Sequence, residues 1–250
     1  MLSIQNLQIG YKNSLDYPPI NTHLQANEFV ALIGRNGSGK TTLLRTLTGL
    51  LEAKTGTIKI DDTPLQELRS KQLAQYISIV TTEKVNISYL SVKDLVALGR
   101  QPYLNFWGQL SPEDHKAIDD TFDLMDIHYL KEKYINQCSD GERQLVMLAR
   151  ALAQNTAIIL LDEITAHLDF VNRVKLFKIL KQLSKTKLIL IATHDIELAL
   201  KAADSIILMQ APNIHIASPK TLIEQGHIDN AFSAPYIRYN TQQERFDVDF

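Results

Sequence analysis

The sequence predicts an α/β fold around a parallel central sheet, on three observations. Apolar runs at 29–33, 157–161 and 188–192 are uninterrupted, the pattern of strands covered on both faces. Leu43, Leu44 and Leu47, and later Leu145, Leu148, Ala149 and Leu152, recur at helical spacing next to two of those runs. Short alternating stretches make the start of the chain β-rich.

Taken in order, residues 2–11 alternate apolar and polar through Leu2, Ile4, Leu7 and Ile9 and predict an edge strand, with Tyr11 at its end. Pro18 and Pro19 mark a turn before a second extended stretch at 21–24. The strand at 29–33 runs into Gly34, Arg35, Asn36, Gly37, Ser38, Gly39, Lys40 and Thr41, which fit the phosphate-loop pattern G-x-x-x-x-G-K-[ST]. A helix follows through Thr42 to a C-cap near Gly49. This placement between strand and helix suits a triphosphate. Glycines let backbone N–H groups turn toward phosphate oxygens, and the new helix adds its positive end. Lys40 supplies a point charge for the β- and γ-phosphates, and Thr41 offers a hydroxyl to Mg²⁺. Residues 56–61 alternate again as a strand, followed by a short helix from Pro64 and a strand at 76–80.

From Ser91 the texture turns helical. Ser91 and Asp94 are spaced as a capping box, and Ser111, Pro112, Glu113 and Asp114 give an N-cap, a proline at the first helical position and acids in the first turn. Ile118, Phe122 and Met125 then mark one apolar face. The loop between these helices, 102–108, holds Tyr103, Phe106 and Trp107; such a cluster either meets a partner or packs the helices together. Ser139 and Glu142 make another capping box, ahead of the helix marked by Leu145, Leu148, Ala149 and Leu152.

The run at 157–161 ends in Asp162 and Glu163, and that at 188–192 in Thr193, His194 and Asp195. In a parallel sheet functional groups gather at the carboxyl ends of strands, so Asp162, Glu163 and His194 are expected to converge on the phosphate loop. A strand at 205–209, a helix at 219–225 and a hairpin-like tail around Asn240, Thr241 and Gln242 complete the chain.

Composition narrows the classes. A chain of 250 residues with an ordinary apolar fraction buries a sizeable core. Its net charge of -2 and lack of a long basic run argue against a general nucleic-acid surface. The single cysteine, Cys138, excludes an internal disulfide, and no Cys/His cluster has zinc spacing, which suits a reducing cytosol. The start lacks a basic region followed by an apolar stretch, and no segment approaches the ~20 apolar residues that cross a bilayer. The expectation is a chain that neither spans a membrane nor is exported by itself.

The order of the elements is specific: a phosphate loop, a helical insert, a glycine-containing cap, a strand ending in Asp-Glu and a strand ending in His. It resembles the ATP-binding cassette ATPases over nearly the whole chain. The resemblance implies a P-loop NTPase (RecA-like) core with an N-terminal antiparallel β subdomain and an inserted α-helical subdomain. Residues 1–250 would then be one ABC ATPase domain: core and β subdomain in 1–84 and 155–235, helical subdomain in 85–154, and a short tail in 236–250.

It also implies an ATP hydrolase that uses ATP and Mg²⁺. Tyr11 fits the aromatic that stacks on adenine. The loop from Gly34 through Thr42 would hold the phosphates of one ATP, with Ser139 and Gly141 reaching it from a second copy. Thr41 and Asp162 correspond to the Mg²⁺ site, Glu163 to the general base, and Lys40 and His194 to contacts of the γ-phosphate. Asp169 fits the D-loop at a dimer seam. Three residues depart from the family signature Leu-Ser-Gly-Gly-Gln: Cys138 takes the Leu place, Asp140 the first Gly and Glu142 the Gln. A carboxylate at Asp140 repels a phosphate unless it turns outward. Thr82, followed by Glu83, stands where the family has its Q-loop Gln, and its shorter side chain reaches the ion only through water or not at all.

A narrower resemblance concerns cargo. Residues 91–102 look like the text T-V-x-E-L-V-A-x-G-R-x-P of cassettes that serve importers of iron-siderophore chelates, haem or cobalamin. The partners so implied are a second copy head to tail, a polytopic membrane permease and, through it, an external substrate-binding protein, with no nucleic acid. The place implied is the cytoplasmic face of the cell membrane. Thr82 and the stretch 103–107 are the expected permease contact. Two alternatives stand beside this one: a cassette of a soluble assembly such as iron-sulfur cluster machinery, and an importer cassette for a different solute.

Overall fold

The alternation of side chains along one strand explains why the central runs are apolar without interruption. In Phe29–Gly34 (β3), Phe29, Ala31 and Ile33 face one core, and Val30 and Leu32 face another on the opposite side of the sheet. The structure, a computed structural model, describes residues 1–10, 17–81 and 89–249; Tyr11 and Thr82 lie outside them.

Leu2–Gln8 (β1) and Ile20–Leu24 (β2) precede β3. After the phosphate loop come Lys40–Leu47 (α1), Thr55–Ile60 (β4), Thr63–Pro64 (β5), Ser70–Tyr76 (α2) and Ile77–Val80 (β6). The helical stretch holds Val92–Ala97 (α3), Pro112–Met125 (α4) and Asp140–Ala153 (α5). Ile158–Asp162 (β7), Phe170–Leu183 (α6), Leu188–Ala192 (β8), Ile196–Ala202 (α7), Ser205–Gln210 (β9) and Asn213–Ala217 (β10) return to the sheet. Pro219–Glu224 (α8), His227–Phe232 (α9) and a hairpin of Ile237–Asn240 (β11) with Arg245–Val248 (β12) end the described chain.

The main sheet has the order β10-β9-β3-β8-β7-β6, parallel except for β10, which pairs antiparallel with β9. One face carries α3, α4, α5 and α6; the other carries α1 and the antiparallel sheet β2-β1-β4-β5. The carboxyl ends of β3, β7 and β8 are thus brought side by side.

One expectation is corrected. The first strand is not an edge strand, because β1 pairs with β2 on one side and β4 on the other. Alternation reports that one face is buried, not how many neighbours a strand has, and the partner β4 is about fifty residues away in sequence. The register of β1 shifts on both sides around Asn6, whose φ of 48° marks a bulge.

Candidate functional site

The phosphate loop leaves β3 at Gly34 and enters α1 at Gly39, its N-cap with φ 91°. Gly34 is a matter of space: a Cβ there would lie 2.4 Å from the Met209 carbonyl oxygen of β9. Behind the loop, the Tyr17 hydroxyl donates to the Ser38 carbonyl at 2.8 Å. The Ser38 Oγ is buried and has no partner among the described residues.

Lys40 is almost wholly buried, and its Nζ donates to the Gly34 carbonyl at 3.1 Å. Burial pushes the pKa of this ammonium down, while Glu163, and then Asp162, hold it up. Thr41 Oγ1 donates to Asp162 Oδ1 at 3.1 Å, pairing a hydroxyl with a carboxylate at the end of β7. Burial raises the Asp162 pKa, and the Thr41 bond opposes the rise. These hard oxygen donors suit Mg²⁺. The Arg35 side chain goes elsewhere: Nε and Nη2 donate to the Ala231 and Ser233 carbonyls at 2.8 and 3.3 Å, holding the end of α9. Asn36, Gly37 and Thr42 stay with the loop and the start of α1.

Glu163 follows β7 with φ 52°, an uncommon conformation for a residue with a side chain. Its N–H donates to the Ala192 carbonyl of β8 at 2.9 Å, which fixes the turn. From there Glu163 Oε1 lies 2.8 Å from His194 Nε2 and 3.6 Å from Lys40 Nζ. His194 keeps nearly half of its surface exposed, so the imidazole faces an accessible rim.

A support that motif reading missed lies behind His194. Asp195 is ion-paired to Arg173, one turn into α6, and its N–H donates to Thr193 Oγ1 at 3.0 Å. Thr193 Oγ1 is also 3.3 Å from Thr165 Oγ1. The available signal was thin: an acid next to a histidine and an arginine four residues after Asp169. Asp169 itself N-caps α6, accepting the Asn172 N–H at 2.8 Å.

The second capping box forms as expected: Glu142 N–H donates to Ser139 Oγ at 3.2 Å and Ser139 N–H to Glu142 Oε2 at 2.7 Å. Gly141 abuts the 163–169 segment, with a Cβ position 3.2 Å from the His167 carbonyl oxygen. Cys138 is buried in the core, and the exposed Asp140 pairs with Arg143. The loop at 102–108 divides: Tyr103 stacks under the Arg100 guanidinium at 4.0 Å, but Phe106 and Trp107 are 94% and 78% exposed, edge to face at 5.4 Å. Asn105 Oδ1 accepts the N–H groups of Trp107 and Gln109, so this knob sits on a fixed turn. The structure therefore brings Lys40, Thr41, Asp162, Glu163 and His194 together.

Residues 17–166 match a family model described as ABC transporter. The chain is 39% identical over 243 residues to an ABC transporter ATP-binding protein of Methanocaldococcus jannaschii, covering 96% of this chain and 84% of that one. It is 31% identical over 234 residues to the petrobactin import ATP-binding protein FpuD of Bacillus anthracis, covering 92% and 86%. Among solved structures, it is similar to a metal-chelate type ABC transporter in an inward-facing conformation, with a TM-score of 0.82, 25% identity and coverage of 98% and 94%.

Proposed function

This chain belongs to the ABC transporter family as an ATP-hydrolysing cassette, and from that premise we propose that it drives an importer of iron-siderophore complexes or of haem or cobalamin. The observation that carries the hydrolytic part is the Glu163 carboxylate set between His194 and Lys40 at the mouth of the phosphate loop.

In this reading the loop from Gly34 to Thr42 wraps the phosphates of ATP with its N–H groups, Lys40 grips the β- and γ-phosphates, and Tyr11 stacks on adenine. Thr41 and Asp162 would hold Mg²⁺, which would supply positive charge to the phosphates; Thr82 would reach that site only through water or not at all. Glu163 takes the proton of the attacking water, and His194 orients that water against the γ-phosphate. Ser139 and Gly141 reach the same nucleotide from a second copy docked head to tail, with Asp169 at the seam, so closure completes the site and excludes water.

The chain divides accordingly into a core with β subdomain at 1–84 and 155–235, a helical subdomain at 85–154 and a tail at 236–250. The Phe106–Trp107 knob and the Thr82 segment meet a polytopic membrane permease at the cytoplasmic face, and an external binding protein delivers cargo to it. No helix among the described residues is long and apolar enough to cross a membrane, which suits a separate permease. Support for a chelate cargo comes from the stretch 91–102 and from the petrobactin importer relative.

The test is reconstitution with the candidate permease and binding protein. ATP hydrolysis stimulated by a loaded iron chelate is the expected result. Stimulation only by an unrelated solute, or co-purification with soluble proteins and no permease, contradicts the importer reading.

A further inference from the structure

The helix that carries Ser139 and Gly141 begins with two acids, Asp140 and Glu142. Its N–H groups favour an anion, but carboxylates already there compete with a triphosphate arriving from outside. The structure shows where their charge goes. Asp140 Oδ1 lies 3.3 Å from Arg143 Nη1, and Arg143 Nε donates to the Ile135 carbonyl at 3.1 Å. Glu142 folds back over the helix end: one oxygen accepts the Ser139 N–H at 2.7 Å and the other accepts Lys133 Nζ at 3.2 Å. The Ser139 N–H and then Lys133 hold the Glu142 carboxyl below the usual range, so it stays ionised at neutral pH and its charge must be cancelled.

Lys133 is held for that task. Its N–H donates to the Leu130 carbonyl and its carbonyl accepts the Val92 N–H, both at 2.9 Å, which ties it to the first turn of α3. Its ammonium lies 5.8 Å from the centre of the Tyr129 ring.

We propose that Lys133 is a positioning residue for ATP turnover: it neutralises Glu142 while Glu142 caps Ser139, and so keeps this helix end receptive to the γ-phosphate held by a second copy. The proposal rests on the reading of Ser139 and Gly141 as in-trans contacts. Glu142 has two conflicting demands on it. The cap needs its oxygen, and phosphate recognition needs its charge removed. A glutamine meets both alone; a glutamate meets both only with a cation such as Lys133 beside it.

The experiment compares ATP hydrolysis by the full chain and its variants Lys133→Met, Lys133→Arg, Glu142→Gln and the double variant Lys133→Met/Glu142→Gln, at low and high salt, with melting curves for each. Lys133→Met is expected to raise the ATP concentration for half-maximal turnover roughly two- to fivefold at low salt. High salt should shrink the effect, Lys133→Arg should restore the wild-type value, and Glu142→Gln should lower it. The double variant should return to about the wild-type value, because removing both charges leaves the helix end as neutral as the Glu142–Lys133 pair does. A Lys133→Met defect that persists undiminished at high salt, or a double variant as impaired as Lys133→Met alone, makes Lys133 a packing strut and overturns the proposal. Unchanged turnover in a Ser139→Ala control overturns the in-trans reading itself, which separates the two failures.

Discussion

His194 Nε2 stands 2.8 Å from Glu163 Oε1, and the same oxygen lies 3.6 Å from Lys40 Nζ. Residues from the ends of β7 and β8 and from the start of α1 thus meet at one carboxylate. That geometry suits the proposed roles of a base, an imidazole and a phosphate-binding cation around one water.

Replacing Glu163 by Gln keeps the size and removes the proposed base. Turnover is expected to fall about 10²- to 10⁴-fold while ATP affinity is retained. Phosphate release and nucleotide binding, measured on the same preparation, check this. Activity within a few-fold of wild type would place the base elsewhere.

The ion pair of Arg173 with Asp195 holds the residue next to His194 against α6. Arg173→Met is expected to cost about 1–3 kcal/mol of stability, less than a fully buried pair because Arg173 is one-third exposed. It should also lower kcat roughly tenfold or more through a displaced His194, with little change in KM. Urea midpoints and steady-state kinetics read the two effects separately; a loss of stability with kcat intact would make the pair purely structural.

Arg100 and Asp114 form a buried pair in the helical stretch, Nε to Oδ1 at 2.8 Å, and Arg100 Nη1 also donates to the Ala153 carbonyl at the end of α5 at 2.8 Å. Removing Arg100 with Met is expected to cost about 3–5 kcal/mol, the penalty of a buried unpaired carboxylate. Burial opposes ionisation of Asp114, yet the Ser111 N–H and Arg100 together hold its carboxyl below the usual range. A depressed folded pKa contributes stability above the unfolded value that is lost as pH falls through the folded one. The stability gap between wild type and Asp114→Asn, followed by urea unfolding, should therefore be full at neutral pH and shrink on acidification below pH ~4. A gap constant to the lowest pH would refute that assignment.

Trp107 touches solvent over most of its surface, so Trp107→Ala should change stability by less than about 0.5 kcal/mol. Binding to the permease and transport-coupled hydrolysis should fall, as measured by co-purification and reconstituted ATPase assays. If both are unchanged, the knob is not the permease contact.

What sequence reading reached, and what it missed, follow from the range of the interactions. The uninterrupted runs that form β3, β7 and β8 announce their burial on both faces, and functional groups gather at strand ends in a parallel sheet, so the sequence points Asp162, Glu163 and His194 toward the phosphate loop. The bonds that no motif announces are Arg173 to Asp195 behind His194, Lys133 to Glu142 at the start of α5, and Arg100 to the end of α5. Nothing local to any of those cations names its acid or carbonyl; the fold brings the two together. The position of β1 was misread for the same reason, since pairing with β4 is a property of the closed sheet and not of its own alternation. The Arg35 side chain is the reverse case: its motif points to phosphate, but it holds α9.

The claim at the centre of the account is that one chain's phosphate loop and another's Ser139 helix end close on a shared ATP. Sedimentation of the Glu163→Gln variant with and without ATP tests it most directly. The account predicts a monomer that becomes a dimer with ATP, and no dimer when Ser139→Arg is added. A variant that stays monomeric at saturating ATP, or dimerises equally well with Ser139→Arg, would contradict it.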